Sequence, residues 1–144
     1  MKKHLVLIAT IFIAFTSCQK KVKEPSLSDY KVSIIHEDWN AALLKATSNQ
    51  KNVCVIFHAS WCNICNTFLS TVLTDANVES EINSQLIISL IDGDKDYGKP
   101  YFNEYGGQSF PTFIIINNQG VELAKRSGGM SKTEFLTWIK PYYQ

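Results

Sequence analysis

The order of apolar and polar residues along the chain predicts a series of alternating strands and helices. Three apolar runs without polar alternation predict strands, at 52–58, 86–91 and 113–116. Apolar residues at helical spacing predict helices at 38–48, at 62–74 and after Ser131, with shorter helical segments within 78–84 and 97–105. Because strands that are apolar throughout have both faces covered, the pattern indicates an α/β domain with helices on both faces of a central sheet.

Local features add detail to three parts of this pattern. In the helix at 62–74, the predicted core stripe is Ile64, Phe68, Leu69, Val72 and Leu73, and the predicted outward positions are Asn63, Asn66, Ser70 and Thr74. The turn residues Asn117-Asn118-Gln119-Gly120 predict a hairpin in which 121–125 pairs antiparallel with the preceding strand. Ser131 and Glu134 have the spacing of a capping box, which predicts the start of the last helix.

The N-terminal segment has a different character. Lys2 and Lys3 precede an apolar run at 5–15, which is typical of an export signal and shorter than the ~20 residues of a membrane span. The sequence Phe15-Thr16-Ser17-Cys18 resembles a bacterial lipobox, although Leu is the usual residue at the first of these positions. We therefore expect residues 1–17 to be a lipoprotein signal peptide and Cys18 to carry the lipid. The alternative is ordinary cleavage that leaves Cys18 as a free thiol.

The rest of the chain divides into a tether and one domain. Residues 18–35 begin with a polar stretch that contains Pro25 and has no apolar period, so we expect a lipid-anchored linker followed by the folded domain at 36–144. The net charge is +1, and without residues 1–17 the chain has 12 basic and 13 acidic residues. With no basic stripe in the domain, nucleic-acid binding is not indicated. The length of 144 residues gives room for one domain, which we expect to be a monomer.

The four cysteines separate into three kinds: Cys18 at the lipobox-like segment, the single Cys54, and the pair Cys62 and Cys65. Cys54 lies in a β-branched and aromatic run, where we expect it to be buried as an inert small hydrophobe. A structural zinc ion needs four ligands, usually from two ligand pairs, but one cysteine pair is present and His36 and His58 are not spaced as another. We therefore expect no metal ion, and no cofactor is indicated.

The pair Cys62 and Cys65 lies where a strand ends and a helix begins. Unpaired N–H groups and the helix dipole favour negative charge at a helix N-terminus, which lowers the pKa of a cysteine there. Cys65 follows one turn later on the same face, within reach of a mixed disulfide on Cys62. The spacing predicts Cys62 as the attacking thiol and Cys65 as the resolving thiol, while an inert buried pair is the alternative.

Three motifs together resemble the thioredoxin superfamily over residues 36–143. They are Val55-Ile56-Phe57-His58-Ala59-Ser60-Trp61-Cys62-Asn63-Ile64-Cys65, then Phe110-Pro111-Thr112-Phe113, then Gly128-Gly129. The stretch from Ala59 to Val78 is similar to the C-terminal domain of the thiol–disulfide interchange reductase of the bacterial periplasm. The resemblance implies a thioredoxin fold with a central mixed sheet, in a periplasmic domain that passes electrons to other envelope proteins. Together with the lipobox-like segment, it indicates a thioredoxin-like periplasmic lipoprotein.

The resemblance also implies roles for three residues near the dithiol. It makes Pro111 a cis-proline that packs beside the sulfurs, with Phe110 offering its backbone to an extended peptide. It makes Trp61 a shield for the sulfurs and a contact surface for partners. The alternatives are a harmless edge proline at Pro111 and a plain core aromatic at Trp61.

Departures from the thioredoxin pattern bear on the chemistry. Thioredoxins carry a buried Asp six residues before the first cysteine, where this chain has Ile56. His58 is either a substitute base or a surface residue at the end of a strand. The dipeptide Asn63-Ile64 replaces Gly-Pro and lacks the His of strongly oxidising relatives, which favours a reductant or an isomerase.

These observations predict a thiol–disulfide oxidoreductase that reduces disulfides of envelope proteins. The expected partners are envelope protein thiols or disulfides, an upstream redox partner, and the membrane through the lipid on Cys18. A disulfide oxidase or isomerase is one alternative. A redox-silent binding module that uses the groove at Phe110 is the other.

Overall fold

The computed structural model describes residues 21–144. In this part of the chain the strands are β1 (Ile34–His36), β2 (Val53–His58), β3 (Ile87–Asp92), β4 (Thr112–Ile116) and β5 (Glu122–Ser127). The α-helices are α1 (Trp39–Asn49), α2 (Asn63–Thr71), α3 (Ala76–Ile82), α4 (Lys99–Glu104) and α5 (Lys132–Ile139). Short 3₁₀ turns lie at Leu27–Asp29 and Lys140–Tyr142.

The strands form one mixed sheet in the order β1-β3-β2-β4-β5. Strands β1, β3 and β2 are parallel, β4 is antiparallel to β2, and β5 is antiparallel to β4. The carboxyl ends of the parallel strands therefore meet at one edge of the sheet. The predicted hairpin is confirmed, and its turn closes through Gly120, whose φ of +80° favours glycine.

Helices cover both faces of the sheet, as the apolar strands predicted. One core lies between the sheet and the helices α2, α3 and α5, and includes Ile56, Phe68 and Phe135. The other lies under α1 and α4 and includes Trp39 and Phe57. Strand β2 is buried along its whole length because its side chains alternate between these two cores.

The folded domain begins earlier than the predicted boundary at residue 36. Strand β1 pairs in parallel with β3, Ile34 opposite Ile88, and Val32 is buried. The backbone N–H groups of Lys31 and Val32 both donate to the carbonyl oxygen of Leu73. The prediction of a linker through residue 35 is therefore wrong in its last part, because a three-residue strand is too short to show an apolar pattern.

At the first turn of α2, the buried side chains differ from those of the predicted core stripe. Ile64, predicted to lie in the core, is 59% exposed, and Asn66, predicted to face outward, is only 4% exposed. The amide of Asn66 donates to the carbonyl oxygens of Val22 and Ser60 at 3.0 and 3.2 Å. Val22 and Ser60 lie outside the strands, so contacts with loops decide which side of this turn is buried.

The other end of the domain agrees with the sequence. Ser131 and Glu134 form the predicted capping box at the start of α5. Among residues 21–144, none of the helices is long and apolar enough to cross a membrane. The predicted signal peptide at 1–17 and the lipidation at Cys18 lie outside the described residues.

Candidate redox site

The two cysteines of the site lie where the chain passes from β2 into α2. Cys62 is the N-cap residue of α2, with extended backbone angles, φ −79° and ψ 101°. Its sulfur accepts a hydrogen bond from the backbone N–H of Cys65 at 3.2 Å. The sulfur of Cys62 thus occupies the position of a capping side chain, where the N–H groups of the helix stabilise a thiolate.

Cys62 and Cys65 are joined by a disulfide, with their Cα atoms 5.2 Å apart. Cys62 is 7% exposed and Cys65 1% exposed. Cys62 is therefore the more accessible of the two residues to another protein. A disulfide in this place is able to exchange with an external thiol, and the reduced pair with an external disulfide.

The loop before β4 covers the disulfide from the other side. The peptide bond between Phe110 and Pro111 is cis, as expected. Phe110 packs against the cluster formed by Ala59, Cys62 and Cys65. Because β4 lies next to β2 in the sheet, the fold brings together residues that are far apart in the sequence.

Exposed apolar side chains surround the disulfide. Trp61 is 68% exposed, so the alternative of a core aromatic is wrong for this residue. Its indole N–H donates to a carboxylate oxygen of Asp94 at 2.8 Å, and its ring meets that of Phe110 edge to face at 5.9 Å. Ile64 adds a second exposed apolar side chain, which the helical pattern had assigned to the core.

The position of the usual buried carboxylate holds Ile56, which is fully buried in the core beneath α2. His58, two residues further along β2, is only 2% exposed, so the expectation of a surface histidine is wrong. Its ring nitrogens lie 3.5 Å from a carboxylate oxygen of Glu37 and 3.8 Å from one of Glu24. The role of His58 as a base stays a prediction.

Glu37 is held as a carboxylate beside His58. Partial burial opposes its ionisation, but the contacts of His58 and Tyr97 and the backbone N–H of Asp92 outweigh burial, so the pKa of Glu37 lies below its ordinary value. Both carboxylate oxygens of Glu37 accept from the N–H of Asp92, at 3.0 and 3.1 Å. No feature of the sequence had indicated that Glu24 and Glu37 would lie here.

The remaining cysteine of the described chain is inert in this arrangement. Cys54 lies in the middle of β2, is fully buried and forms no disulfide. Burial raises the pKa of its thiol far above the ordinary value. The expectation that Cys54 is a buried small hydrophobe is confirmed.

Comparison with known proteins agrees with this geometry. The sequence model of a thioredoxin-like domain matches residues 39–142. The chain belongs to the thioredoxin-like domain family. Its similarity to thioredoxins extends to structure: a thioredoxin from Thermus thermophilus superposes with a TM-score of 0.67 at 23% identity, over 76% of this chain and 87% of that one.

Curated relatives of this thioredoxin-like chain are longer proteins. A protein disulfide-isomerase, erp38 of Neurospora crassa, is 28% identical over 84% of this chain, which covers 31% of erp38. The thiol:disulfide interchange protein DsbD of Photorhabdus laumondii is 24% identical over 61% of this chain and 16% of DsbD. The chain thus spans a third or less of the length of these relatives.

Proposed function

We propose that the chain is a thiol–disulfide oxidoreductase that reduces disulfides of other proteins with Cys62 and Cys65. The observation that carries this proposal is the Cys62–Cys65 disulfide at the N-terminus of α2, with the sulfur of Cys62 accepting a helix N–H. A thiolate at Cys62 gains the same hydrogen bond, which favours the charged and nucleophilic form.

In the proposed reaction, the reduced pair transfers two electrons to a client disulfide. The Cys62 thiolate attacks one client sulfur, and a mixed disulfide forms as the first client thiolate leaves and takes up a proton. The Cys65 thiol loses its proton and attacks the Cys62 sulfur. The second client thiol then leaves, and the Cys62–Cys65 disulfide remains. A dithiol donor, the upstream redox partner, returns the pair to the reduced state.

The client binds across the apolar surface beside the sulfurs. Trp61 and Phe110 are partly or largely open to solvent on this side, and the buried Pro111 immediately precedes strand β4. An extended client segment pairs with the backbone at Phe110 and packs its side chains on these rings. The aromatic rings give contact area with little loss of side-chain freedom, so they serve clients of varied sequence.

The protein acts in the cell envelope, held to the membrane by lipid on Cys18. The basic, apolar and lipobox-like segments of residues 1–18 support this placement. Cleavage after residue 17 leaves a short tether before the domain, which places the redox site near the membrane surface. Replacement of Cys18 by Ser is expected to move the protein from the membrane fraction to the soluble fraction, and unchanged fractionation of Cys18→Ser contradicts the anchor.

Reduction of insulin by the full chain with dithiothreitol tests the activity. The wild type is expected to speed insulin precipitation, and Cys62→Ser to lose the catalysis. Cys54→Ala is the matched control, since it removes a cysteine outside the site and is expected to keep the activity. An inactive wild type that does not differ from Cys62→Ser contradicts the proposed reaction.

Two further measurements separate the alternatives. A Cys65→Ser variant is expected to accumulate a mixed disulfide with its clients through Cys62, whereas a redox-silent binding module accumulates none. Equilibration of the 62–65 pair with glutathione distinguishes a reductase from an oxidase or isomerase, because ~30 mV corresponds to ~1.4 kcal/mol for a two-electron couple. A pair that stays reduced in oxidised glutathione contradicts the direction proposed here.

A further inference from the structure

A second cluster of chemically active side chains lies at the carboxyl edge of the parallel strands, apart from the disulfide. His36 is the last residue of β1 and His58 the last residue of β2. Strand β3 lies between these strands and is parallel to both, so the two histidines come to the same edge of the sheet. Their separation in the sequence therefore does not keep them apart in space.

Glu24 completes a group of three potential ligands. One side-chain oxygen of Glu24 and one ring nitrogen of each histidine all lie within 4.8 Å of one another. Bonds of ~2.0–2.1 Å to a zinc ion place tetrahedral ligands roughly 3.4 Å apart. A modest closure of the group brings the ligands to that spacing, and His36 and Glu24 have side chains 34% and 25% exposed that are free to adjust.

His58 supplies an independent indication of a ligand. Its side chain is 2% exposed, and both ring nitrogens are buried without a hydrogen-bond partner among the described residues. A buried polar group without a partner is destabilising, so such groups in proteins normally have a bound water, ion or ligand beside them. Both nitrogens of His58 face carboxylates, those of Glu24 and Glu37, at ion-pair distances rather than in hydrogen bonds.

The charge of the cluster also fits a divalent cation. Glu24 and Glu37 place two carboxylates around two imidazoles. Glu37 is fixed by the backbone N–H of Asp92 and lies 3.6 Å from the ring of His36. Imidazole nitrogens with carboxylate oxygens are a ligand set of zinc, and a carboxylate beside the ligands helps orient the histidine rings.

We propose that Glu24, His36 and His58 bind one zinc ion, which fastens the N-terminal segment of the chain to the carboxyl edge of the sheet. The prediction that the chain has no metal site rested on sequence spacing, and the proposal replaces it. The partly exposed side of His36 leaves room for water as a further ligand.

The position of Glu24 gives the site a structural consequence. Glu24 lies between Val22, whose N–H donates to the side chain of Asn63 at 2.7 Å, and the buried Val32. A zinc ion on Glu24 adds one more attachment to this segment, two residues after Val22, which contacts the first turn of α2. The ion therefore holds the end of the tether next to the redox site without contacting the cysteines.

Zinc titration of the full chain tests the proposal. The 62–65 pair is kept as the disulfide and the accessible thiols are alkylated, so that thiolates do not bind the metal. One zinc ion per chain is expected, with affinity lowered at least tenfold in His36→Ala and in Glu24→Gln. Glu104→Gln, a change at an exposed glutamate of α4, is the matched control and keeps the affinity of the wild type.

Three other readouts keep the proposal falsifiable if His58→Asn does not fold. Zinc is expected to raise the melting temperature of the wild type but not of His36→Ala, and to slow tryptic cleavage after Lys23. The cobalt(II) complex is expected to show visible bands without sulfur-to-metal charge transfer. Sub-stoichiometric binding, equal affinity in His36→Ala and the wild type, or a cobalt–sulfur band each overturns the site.

Discussion

Strand β2 and the loop that follows it hold cysteines in two contrasting environments. Cys54 lies in the middle of the strand, opposite Ile88 on one side and Ile115 on the other, and burial raises the pKa of its thiol. Cys62 lies just past the end of the strand, where its sulfur accepts the N–H of Cys65. The same side chain is thus inert in one place and suited to thiolate chemistry in the other, because only the second offers donors to a negative charge.

The largest expected difference between the two regions is in thiol reactivity. In the native reduced protein at neutral pH, iodoacetamide is expected to alkylate Cys62 at least ~100-fold faster than Cys54, because the thiolate is the reactive form. Peptide mapping by mass spectrometry after timed quenching measures both rates. Comparable alkylation rates of Cys62 and Cys54 without denaturant would contradict this prediction. Unfolding in urea should remove the difference between the two rates.

At Cys54, a buried polar group should lower the free energy of unfolding more than the loss of the sulfur does. Cys54→Ser is expected to lower the free energy of unfolding by ~1–3 kcal/mol, because its hydroxyl is buried among apolar side chains. Cys54→Ala is the matched variant, with a smaller loss of about 1 kcal/mol from the small cavity it leaves. Urea denaturation measures both, and a Cys54→Ser variant as stable as Cys54→Ala argues against the dry environment.

Binding of a protein disulfide at the redox site should depend on the apolar surface beside the sulfurs. Phe110→Ala is expected to raise KM for a protein disulfide about tenfold, equivalent to ~1.4 kcal/mol of lost contact, with a smaller change in kcat. Leu44→Ala removes a side chain that is 70% exposed on α1 and serves as the control. An unchanged KM in Phe110→Ala shows that clients do not pack on this ring.

The smallest expected effect is a decrease in the free energy of unfolding at high pH, which comes from the buried thiol of Cys54. The unfolded chain loses the Cys54 proton above pH ~8.5, whereas burial keeps the native thiol protonated. The unfolded state then binds fewer protons, so stability is complete below that pH and falls as pH rises, by at most ~1.4 kcal/mol per unit. Urea denaturation from about pH 8 to about pH 9 measures the slope below the range in which unfolded tyrosines, with a pKa of ~10, lose their protons.

A variant without the thiol provides the comparison for this slope. Cys54→Ala is expected to lose the part of the decline that comes from Cys54 and to keep any part that comes from other groups. Equal slopes in Cys54→Ala and the wild type would mean that the native Cys54 thiol ionises as readily as the unfolded one.

Local patterns in the sequence were sufficient where neighbouring residues decide the outcome. The apolar runs predicted β2, β3 and β4, and Ser131 with Glu134 predicted the start of α5. The burial of Cys54 also followed from its neighbours in the run. These features depend on spacing of two to four residues, which a single sequence displays directly.

Features that depend on distant contacts were missed or reversed. His58 was expected on the surface, but it lies beneath Glu24 and Glu37, which approach from other parts of the chain. Asn66 was expected outside, but its amide binds the carbonyl of Val22. A three-residue strand such as β1 becomes visible only through its pairing with β3.

The sequence by itself determined the chemistry available at the end of β2. A strand followed by Trp61-Cys62-Asn63-Ile64-Cys65 places a thiol at a helix N-terminus, and that is a local property of the chain. Only the tertiary structure decided what surrounds this chemistry. The antiparallel pairing of β4 with β2 brought Phe110 against the disulfide, and the parallel pairing of β1 and β2 with β3 brought His36 and His58 to one edge, where Glu24 joins them. Sheet pairing sets which distant residues become neighbours.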